Sequence, residues 1–346
     1  MTNHPMTNLI RENIRNLKPY SSARDEYEDT SLIMLDANES PFGAPANRYP
    51  DPYQKELKEE ISKLKDINPG NIFLGNGSDE AIDLLIRVFC EPGVDNVIIP
   101  QPTYGMYQVC ADINNVKVKS VLLDDRFDID IDAIKESIDV NTKLIFLCSP
   151  NNPTSNLLSK DRIRSLMNDF SGIVVLDEAY IDFSMDQSML PELNQSNNLV
   201  ILQTFSKAWE MAGVRLGMAF GSNEIIDIMN KVKYPYNINK LTSSFALNKL
   251  RDGKKEVCDN ISIILNERDK LIQQLNQLDA VNKVYPSDSN FLLVKFNDSN
   301  KVFQFLKQKG IILRDRSKMA NLNNCLRITI GNSEENNQLL NTLKLL

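Results

Sequence analysis

Apolar residues in this chain fall into two textures. Between residues 72 and 204, short unbroken runs ("IFLG", "VIIP", "LIFLC", "IVVL", "LVIL") alternate with stretches where apolar positions recur at helical spacing. A strand that is apolar at every position must be covered on both faces, and intervening amphipathic helices can supply that cover. The stretch after Gly77 shows the second texture: Ala81, Leu84, Leu85 and Val88 stand at i, i+3, i+4 and i+7, with Ser78 where a helix cap belongs. The pattern predicts an α/β fold with a mainly parallel central sheet.

Outside this block the pattern differs. "NLIRENIRNL" has helical spacing and predicts a short arm before Pro19, and "SLIMLDANESPFGAP" reads as a strand breaking into a Pro-rich loop. "PYQKELKEEISKLKDI" is an amphipathic helix ended by "NPGN". From about Pro235 a long helical stretch follows, with Asp252–Gly253 as an interruption. Then come "NFLLVKF", the helix "KVFQFLKQKG", the strands "GIILRDR" and "CLRITIG", and a last helix opened by Ser333. The expected division is an N-terminal arm over 1–30, a large domain over 31–234 and a smaller α+β domain over 235–346.

Composition narrows the chemistry. The chain has 346 residues, 42% of them hydrophobic, enough for two domains with sizeable cores. A formal net charge of -7 argues against nucleic acid or an anionic membrane as a partner, so an anionic ligand needs a local cluster of cations. Five widely spaced cysteines without a CxxC pair suit reduced thiols better than disulfides or a zinc site. With no signal-peptide core and no membrane-spanning run, the expected setting is the cytoplasm. The sole histidine, His4, stands in a segment expected to be loose. Histidine triads and histidine-held metals are thereby set aside, no metal is expected, and a catalytic base must be a lysine, carboxylate, tyrosine or cysteine.

Ligands of open α/β sheets bind beyond the carboxyl ends of the strands. There this sequence delivers Gly77, Ser78 and Asp79, then Tyr104, Asn151 and Asn152, Asp177 and Tyr180, and finally Thr204, Ser206 and Lys207. Singly, each has an ordinary explanation as a cap, a packed ring, a turn or a solvated charge. Together they fall at equivalent ends of separate strands. In "TFSKAWEMAGVRLG", Lys207 and Arg215 stand among Trp209, Met211, Val214 and Leu216, so both are expected to be kept partly out of water. A glycine-opened helix start, two hydroxyls and an arginine make a phosphate cradle. A strand-end carboxylate can pair with a protonated ring nitrogen, and a desolvated lysine has its pKa pulled below roughly 10.4 and becomes nucleophilic. Phosphate, ring nitrogen and amine describe pyridoxal 5'-phosphate, carried by Lys207.

The blocks "SPNNPT", "LDEAYIDF" and "TFSKAWEMAGVRLG" resemble the signatures of the class I/II aminotransferases, fold type I of the pyridoxal-phosphate enzymes. Within that family, "RENIRNLKPYSSAR", "LDANESP", "RYPDP", "GNGSDEAIDLLIRVFCEPG", "PTYGMY" and "GIILRDR…CLRITIG" are similar to the histidinol-phosphate aminotransferase branch, in order along essentially the whole chain. The resemblance implies that Lys207 binds the cofactor covalently and moves a proton between substrate and cofactor. Asp177 would face the ring nitrogen, Tyr180 and Asn152 the ring hydroxyl, and Tyr104 would stack on the ring. Ser78 and Asp79 main chain, Thr204, Ser206 and Arg215 would hold the phosphate, with Tyr49 reaching it from the second subunit of a homodimer. Tyr20, Asn152, Arg314 and Arg327 would bind substrate: histidinol phosphate in one half-reaction, glutamate or 2-oxoglutarate in the other, a step of histidine biosynthesis.

The residues themselves bear on that last group. Arg314 and Arg316 alternate in "ILRDR" and are expected on opposite faces or with separate partners; Arg327, in an apolar strand, is either a structural ion pair or a ligand for an anion. Arg314 and Arg327 are preferred over Arg316. One departure from the family pattern is Ser155, where glycine often follows "NNPT"; a positive φ there would strain serine and puts the placement of Asn152 in question. The Asn152–Pro153 bond suits either isomer. Rival readings are another enzyme of the same fold (an aromatic aminotransferase or a threonine-phosphate decarboxylase), a nucleotide-binding protein using "GNGSDE", and a non-catalytic regulator. The second lacks a P-loop pattern and leaves Lys207 and Asp177 unexplained. The third would carry a basic nucleic-acid module, and no such segment precedes Met34.

Overall fold

Alternate residues of the central strands enter opposite cores, and this builds the molecule. The computed structural model describes residues 8–20, 33 and 35–346. One sheet comprises β1 (Ile72–Asn76), β2 (Asn96–Gln101), β3 (Lys117–Leu122), β4 (Thr142–Cys148), β5 (Ile173–Asp177), β6 (Leu199–Thr204) and β7 (Leu216–Phe220), in the order β1-β7-β6-β5-β4-β2-β3. Along β4, Ile145 and Leu147 join one core while Leu144, Phe146 and Cys148 join the other. Along β5, Val174 and Leu176 do the former and Ile173 and Val175 the latter. Period-2 burial on both faces is why these runs are apolar throughout.

Strands β6, β5, β4, β2 and β3 pair in parallel. Only β7 is reversed, antiparallel to both β6 and β1. Consequently β1, β2, β4, β5 and β6 end at one edge of the sheet, and β7 begins there. Helices Ser78–Phe89 and Asn223–Val232 cover one face, and Lys160–Asp169 packs into the core on the other.

A second, antiparallel sheet has the order β10-β11-β9-β8, from β8 (Val281–Val284), β9 (Phe291–Phe296), β10 (Arg314–Asp315) and β11 (Cys325–Thr329). Leu292, Val294, Leu326 and Ile328 pack under helices Ser299–Gln308 and Ser333–Leu343. Phe291, Leu293 and Cys325, on the other face, join the core of the first sheet. Arg327 shares that second face with Cys325, and so is turned toward the first sheet.

Several sequence expectations are corrected. Ser78 is the first helical residue and Gly77 the cap, at φ 74 and ψ 168, values open to glycine. The last helix does open at Ser333, as expected, with Asn332 as its cap in a capping box with Glu335. "GIILRDR" contributes only Arg314–Asp315 as strand, and Ile312 is exposed. The strand expected around Leu32 and Met34 falls largely outside the described residues; Ile33 and Leu35 are exposed and not in a strand. His4 also lies outside them. Of the N-terminal helix only Glu12–Arg15 forms. The interruption at Gly253 is present, between helices Lys240–Asp252 and Lys254–Leu275.

Close approach of β7 to the turn after β1 depends on Gly217. A Cβ there would lie 2.2 Å from the Ser78 nitrogen and 2.3 Å from the Gly77 carbonyl carbon. Both are backbone atoms that cannot swing aside. Gly217→Ala is expected to cost about 1–3 kcal/mol through overpacking, read as a lowered midpoint in urea unfolding. A variant as stable as the wild type would show that the turn is not pinned.

Candidate active site

At the edge where the parallel strands end lies a cleft with about 490 Å³ of empty space, counting the part open to solvent. Ser78, Asp79, Tyr104, Asn152, Asp177, Tyr180, Thr204, Ser206, Lys207 and Arg215 all line it, with Gly77, Cys148 and Ala179. The strands thus bring together most of the residues singled out in sequence. They arrive from five separate strand ends, those of β1, β2, β4, β5 and β6, as strand-end delivery requires.

Asp177 ends β5 opposite Cys148 and is 3% exposed. Burial pushes its carboxyl up to about 6, opposed by the Tyr107 hydroxyl, which donates to Oδ2 at 2.6 Å, and by the Ala179 N–H, which donates to Oδ1 at 3.0 Å. Tyr107 is fully buried, so its hydroxyl requires such a partner. Sequence reading missed it, although it stands three residues after Tyr104 in "PTYGMY", on the inward face of helix Met106–Ile113.

Lys207 and Arg215 are not withheld from water as expected. Phe205, Ala208, Trp209, Met211 and Leu216 form the buried underside of their loop, while Lys207 and Arg215 are exposed at the cleft. The apolar company is the floor that aims the cations. The Lys207 ammonium is still lowered, first by its apolar surroundings and then by the Arg327 charge, with Asp177 and Asp79 pulling the other way. Its Nζ lies 5.5 Å from the centre of the Tyr180 ring.

Beside it is an anion cradle. Helix Ser78–Phe89 has no side-chain cap, so its first N–H groups are open to a ligand. Thr204 Oγ1 donates to Ser206 Oγ at 3.0 Å, and Arg215 closes the far side at 3.4 Å from Asp79. A Cβ on Gly77 would come within 2.6 Å of the Arg215 guanidinium, so the hollow exists because Gly77 has none. Arg215 itself is in the left-handed region at φ 58, a strained placement of the kind found at ligand sites. Open N–H groups, hydroxyls and a guanidinium suit a phosphate, a buried carboxylate suits a protonated ring nitrogen, and an accessible amine of lowered pKa suits an aldehyde. The donor set fits pyridoxal 5'-phosphate.

Asn152 is buried, and its Nδ2 donates to the Tyr180 hydroxyl at 3.3 Å while its Oδ1 accepts from Arg327 at 2.6 Å. Its peptide bond to Pro153 is cis. Ser155 does take a positive φ of 68, and its Oγ donates to the Pro286 carbonyl at 3.1 Å. That bond ties the turn to the segment leading into the second sheet and offsets the strain. Tyr104 donates to Asp79 Oδ1 at 3.1 Å, and burial together with the Asp79 charge raises its phenol.

The rest are not in the cleft. Tyr49 stacks on Tyr236 at 4.5 Å in a separate hollow, and Tyr20 is 72% exposed. Arg314 is exposed on β10, opposite Arg327. Among the described residues no carboxylate pairs with Arg327, so the structural ion pair is not formed; its guanidinium lies 5.3 Å over the Phe291 ring. Arg316 is not on the opposite face from Arg314. Its N–H donates to the Cys325 carbonyl at 3.0 Å, continuing the β10–β11 register, and residues two apart in extended chain share a face.

Because burial raises Asp177 from 3.8 to about 6, the folded cofactor-free chain binds that proton more tightly than the unfolded chain. Stability therefore falls as pH rises through this window, by up to about 3 kcal/mol at roughly 1.4 per unit. Asp177→Asn is expected to raise the stability of the cofactor-free protein at neutral pH by about 1–3 kcal/mol and to remove that pH dependence, as thermal unfolding would read. A destabilised variant would mean that the carboxylate is structural.

The sequence model for "Aminotransferase class I and II" matches residues 32–343. The chain is 52% identical over 339 residues to the histidinol-phosphate aminotransferase of Parabacteroides distasonis, covering 98% of each. Its structure is similar, with a TM-score of 0.80 and 26% identity, to the histidinol-phosphate aminotransferase of Clostridium acetobutylicum, over 86% of this chain and 90% of that one. The same fold recurs, at a TM-score of 0.74 and 23% identity, in an L-threonine-O-3-phosphate decarboxylase from Porphyromonas gingivalis, over 87% of this chain and 90% of that one. A match over this span, to a cleft with a lysine and a buried aspartate at the expected strand ends, means that the chain belongs to the class I and II aminotransferases.

Proposed function

We propose that this protein transfers the amino group of L-glutamate to imidazole-acetol phosphate, giving L-histidinol phosphate and 2-oxoglutarate, a step of histidine biosynthesis. The observation that carries this reading is that Lys207 and Asp177 face one cleft whose edge, at Asn152, is bound by an arginine that has no carboxylate partner among the described residues. Full-length likeness to histidinol-phosphate aminotransferases supports it.

Pyridoxal 5'-phosphate supplies, when bound, an electron sink for the charge released at the substrate Cα. Lys207 would hold the cofactor through its aldehyde and, once freed by the incoming amine, would be the group that carries the proton between the substrate Cα and cofactor C4'. Its lowered pKa leaves more of the amine neutral for both tasks. Asp177, ionised beside the ring nitrogen, keeps a proton there. Tyr180 and Asn152 orient the ring hydroxyl, and Tyr104 packs against the ring. Ser78 and Asp79 main chain, Thr204, Ser206 and Arg215 fix the phosphate end. Tyr49 serves the site of a second copy, which makes the working unit a homodimer. Tyr20, Arg314 and Arg327 hold the anion that each substrate presents, so one pocket accepts both. In this reading residues 31–234 form the cofactor domain and 235–346 the domain that brings the arginines. No helix among the described residues is long and apolar enough to cross a membrane, and we place the enzyme in the cytoplasm.

The test is the visible absorbance of the purified protein with L-histidinol phosphate and no keto acid. Collapse of the cofactor band to the pyridoxamine form is expected. A band unmoved by L-histidinol phosphate that collapses instead with an aromatic amino acid, or an enzyme that releases carbon dioxide from threonine phosphate, would overturn the substrate assignment. Lys207→Ala should retain the fold by circular dichroism and lose turnover by at least about a thousandfold; ordinary turnover in that variant would remove Lys207 from the chemistry.

A further inference from the structure

We infer that Arg316 is a specificity-determining residue, the third member of an arginine cluster that favours a phosphate dianion over a carboxylate. This rests on the functional reading above and deepens it. Arg314 pairs across the sheet with Arg327, and Arg316 follows two residues on in the same register, so three guanidinium groups leave one face of the second sheet. The intervening Asp315 points to the other face, where its carboxylate accepts from the Ser317 N–H at 2.8 Å.

Among the described residues, no carboxylate pairs with any of the three. Arg316 carries an internal sign of an unmet partner: its Nε is buried and makes no hydrogen bond. Burial first, then the charges of Arg327 and Arg314, press its guanidinium pKa down, with Tyr180 and Asp315 opposing them only in part. The Tyr180 phenol of the cleft wall feels both Arg327 and Arg316. Arg327 donates to Asn152, which lines the cleft of Lys207, so the cluster borders that cleft from the second sheet. In a chain of net charge -7, three uncompensated arginines at one point are a local feature with a local use.

The chemistry of the anion decides what a third arginine adds. A carboxylate offers two oxygens and one negative charge, which a single bidentate guanidinium satisfies. A phosphate monoester near neutral pH offers three terminal oxygens and about -1.5 to -2 charges. Two guanidinium groups match that charge, but Arg327 already spends one N–H on Asn152 at 2.6 Å, and Arg316 has the free Nε donor to complete the contacts to a third oxygen. Its loss should weaken binding of a phosphorylated amine far more than of glutamate.

The experiment titrates the cofactor band of the loaded enzyme, without keto acid, using L-histidinol phosphate, unphosphorylated L-histidinol and L-glutamate in turn. For Arg316→Gln the half-saturating L-histidinol phosphate concentration should rise about tenfold to a hundredfold, the range of one charged hydrogen-bonded contact. Values for the other two amines should move by less, within about threefold. Arg316→Lys should fall between, since it keeps the charge and loses the fork. An equal loss on all three amines would make Arg316 structural support, and no loss on the phosphate ester would remove it from the site; either overturns the inference. A wild-type enzyme that ignores L-histidinol phosphate while responding to another amine would overturn the functional reading, and the inference with it.

Discussion

A carboxylate held out of water at the end of a central strand sets the terms for the rest of this molecule. Asp177 cannot move toward solvent without breaking β5, which is buried at every position. Two hydrogen bonds, from Tyr107 and Ala179, keep it anchored without neutralising it. Burial of such a group costs several kcal/mol unless a cation arrives, and no arginine or lysine bonds to it among the described residues. In the proposed reading the protonated ring of the cofactor would be the counter-ion, so the fold carries a demand that the loaded site would meet.

Backbone geometry answers at the other end of the cleft. Reversal of β7 brings Arg215 back beside the helix start that follows β1, and two glycines make that approach feasible. Gly217 lets the strand touch the Ser78 backbone, and Gly77 leaves the hollow that Arg215 closes. Arg215 O in turn accepts the Gly77 N–H at 3.0 Å, so the loop carrying Lys207 and the turn carrying the open N–H groups are one unit. The anion cradle and the Lys207 loop are thereby set at a fixed separation by main chain, while the arginines come from the second sheet.

Much of this was legible in the sequence because burial on both faces makes the middle of a central strand apolar, with polar residues such as Thr142 and Gln203 kept near its ends. Runs such as "LIFLC" and "IVVL" could only be central, and the first polar residue after each had to be at the edge where ligands bind. Legibility failed where the signal was not periodic. Strand β3, "KVKSVL", is an edge strand with exposed polar positions and carries no apolar run. Strand β7 is short and contains glycine. The cap of the first sheet helix was misplaced by one residue, at Ser78 instead of Gly77, because a cap is decided by backbone angles as well as by side-chain type. Tyr107 looked like packing, since its role depends on a carboxylate seventy residues away. Arg316 was misjudged through the strand period itself: residues two apart share a face, and the register with Cys325 shows it.

The central claim is that Lys207 is the residue that carries the cofactor. The most direct measurement is to reduce the loaded protein with borohydride, which makes the bond between amine and cofactor permanent, and to map the added mass by peptide mass spectrometry. This account predicts the modification on the peptide containing Lys207 and on no other. A modified lysine elsewhere, or a chain that holds the cofactor yet gains no covalent mass, would contradict it.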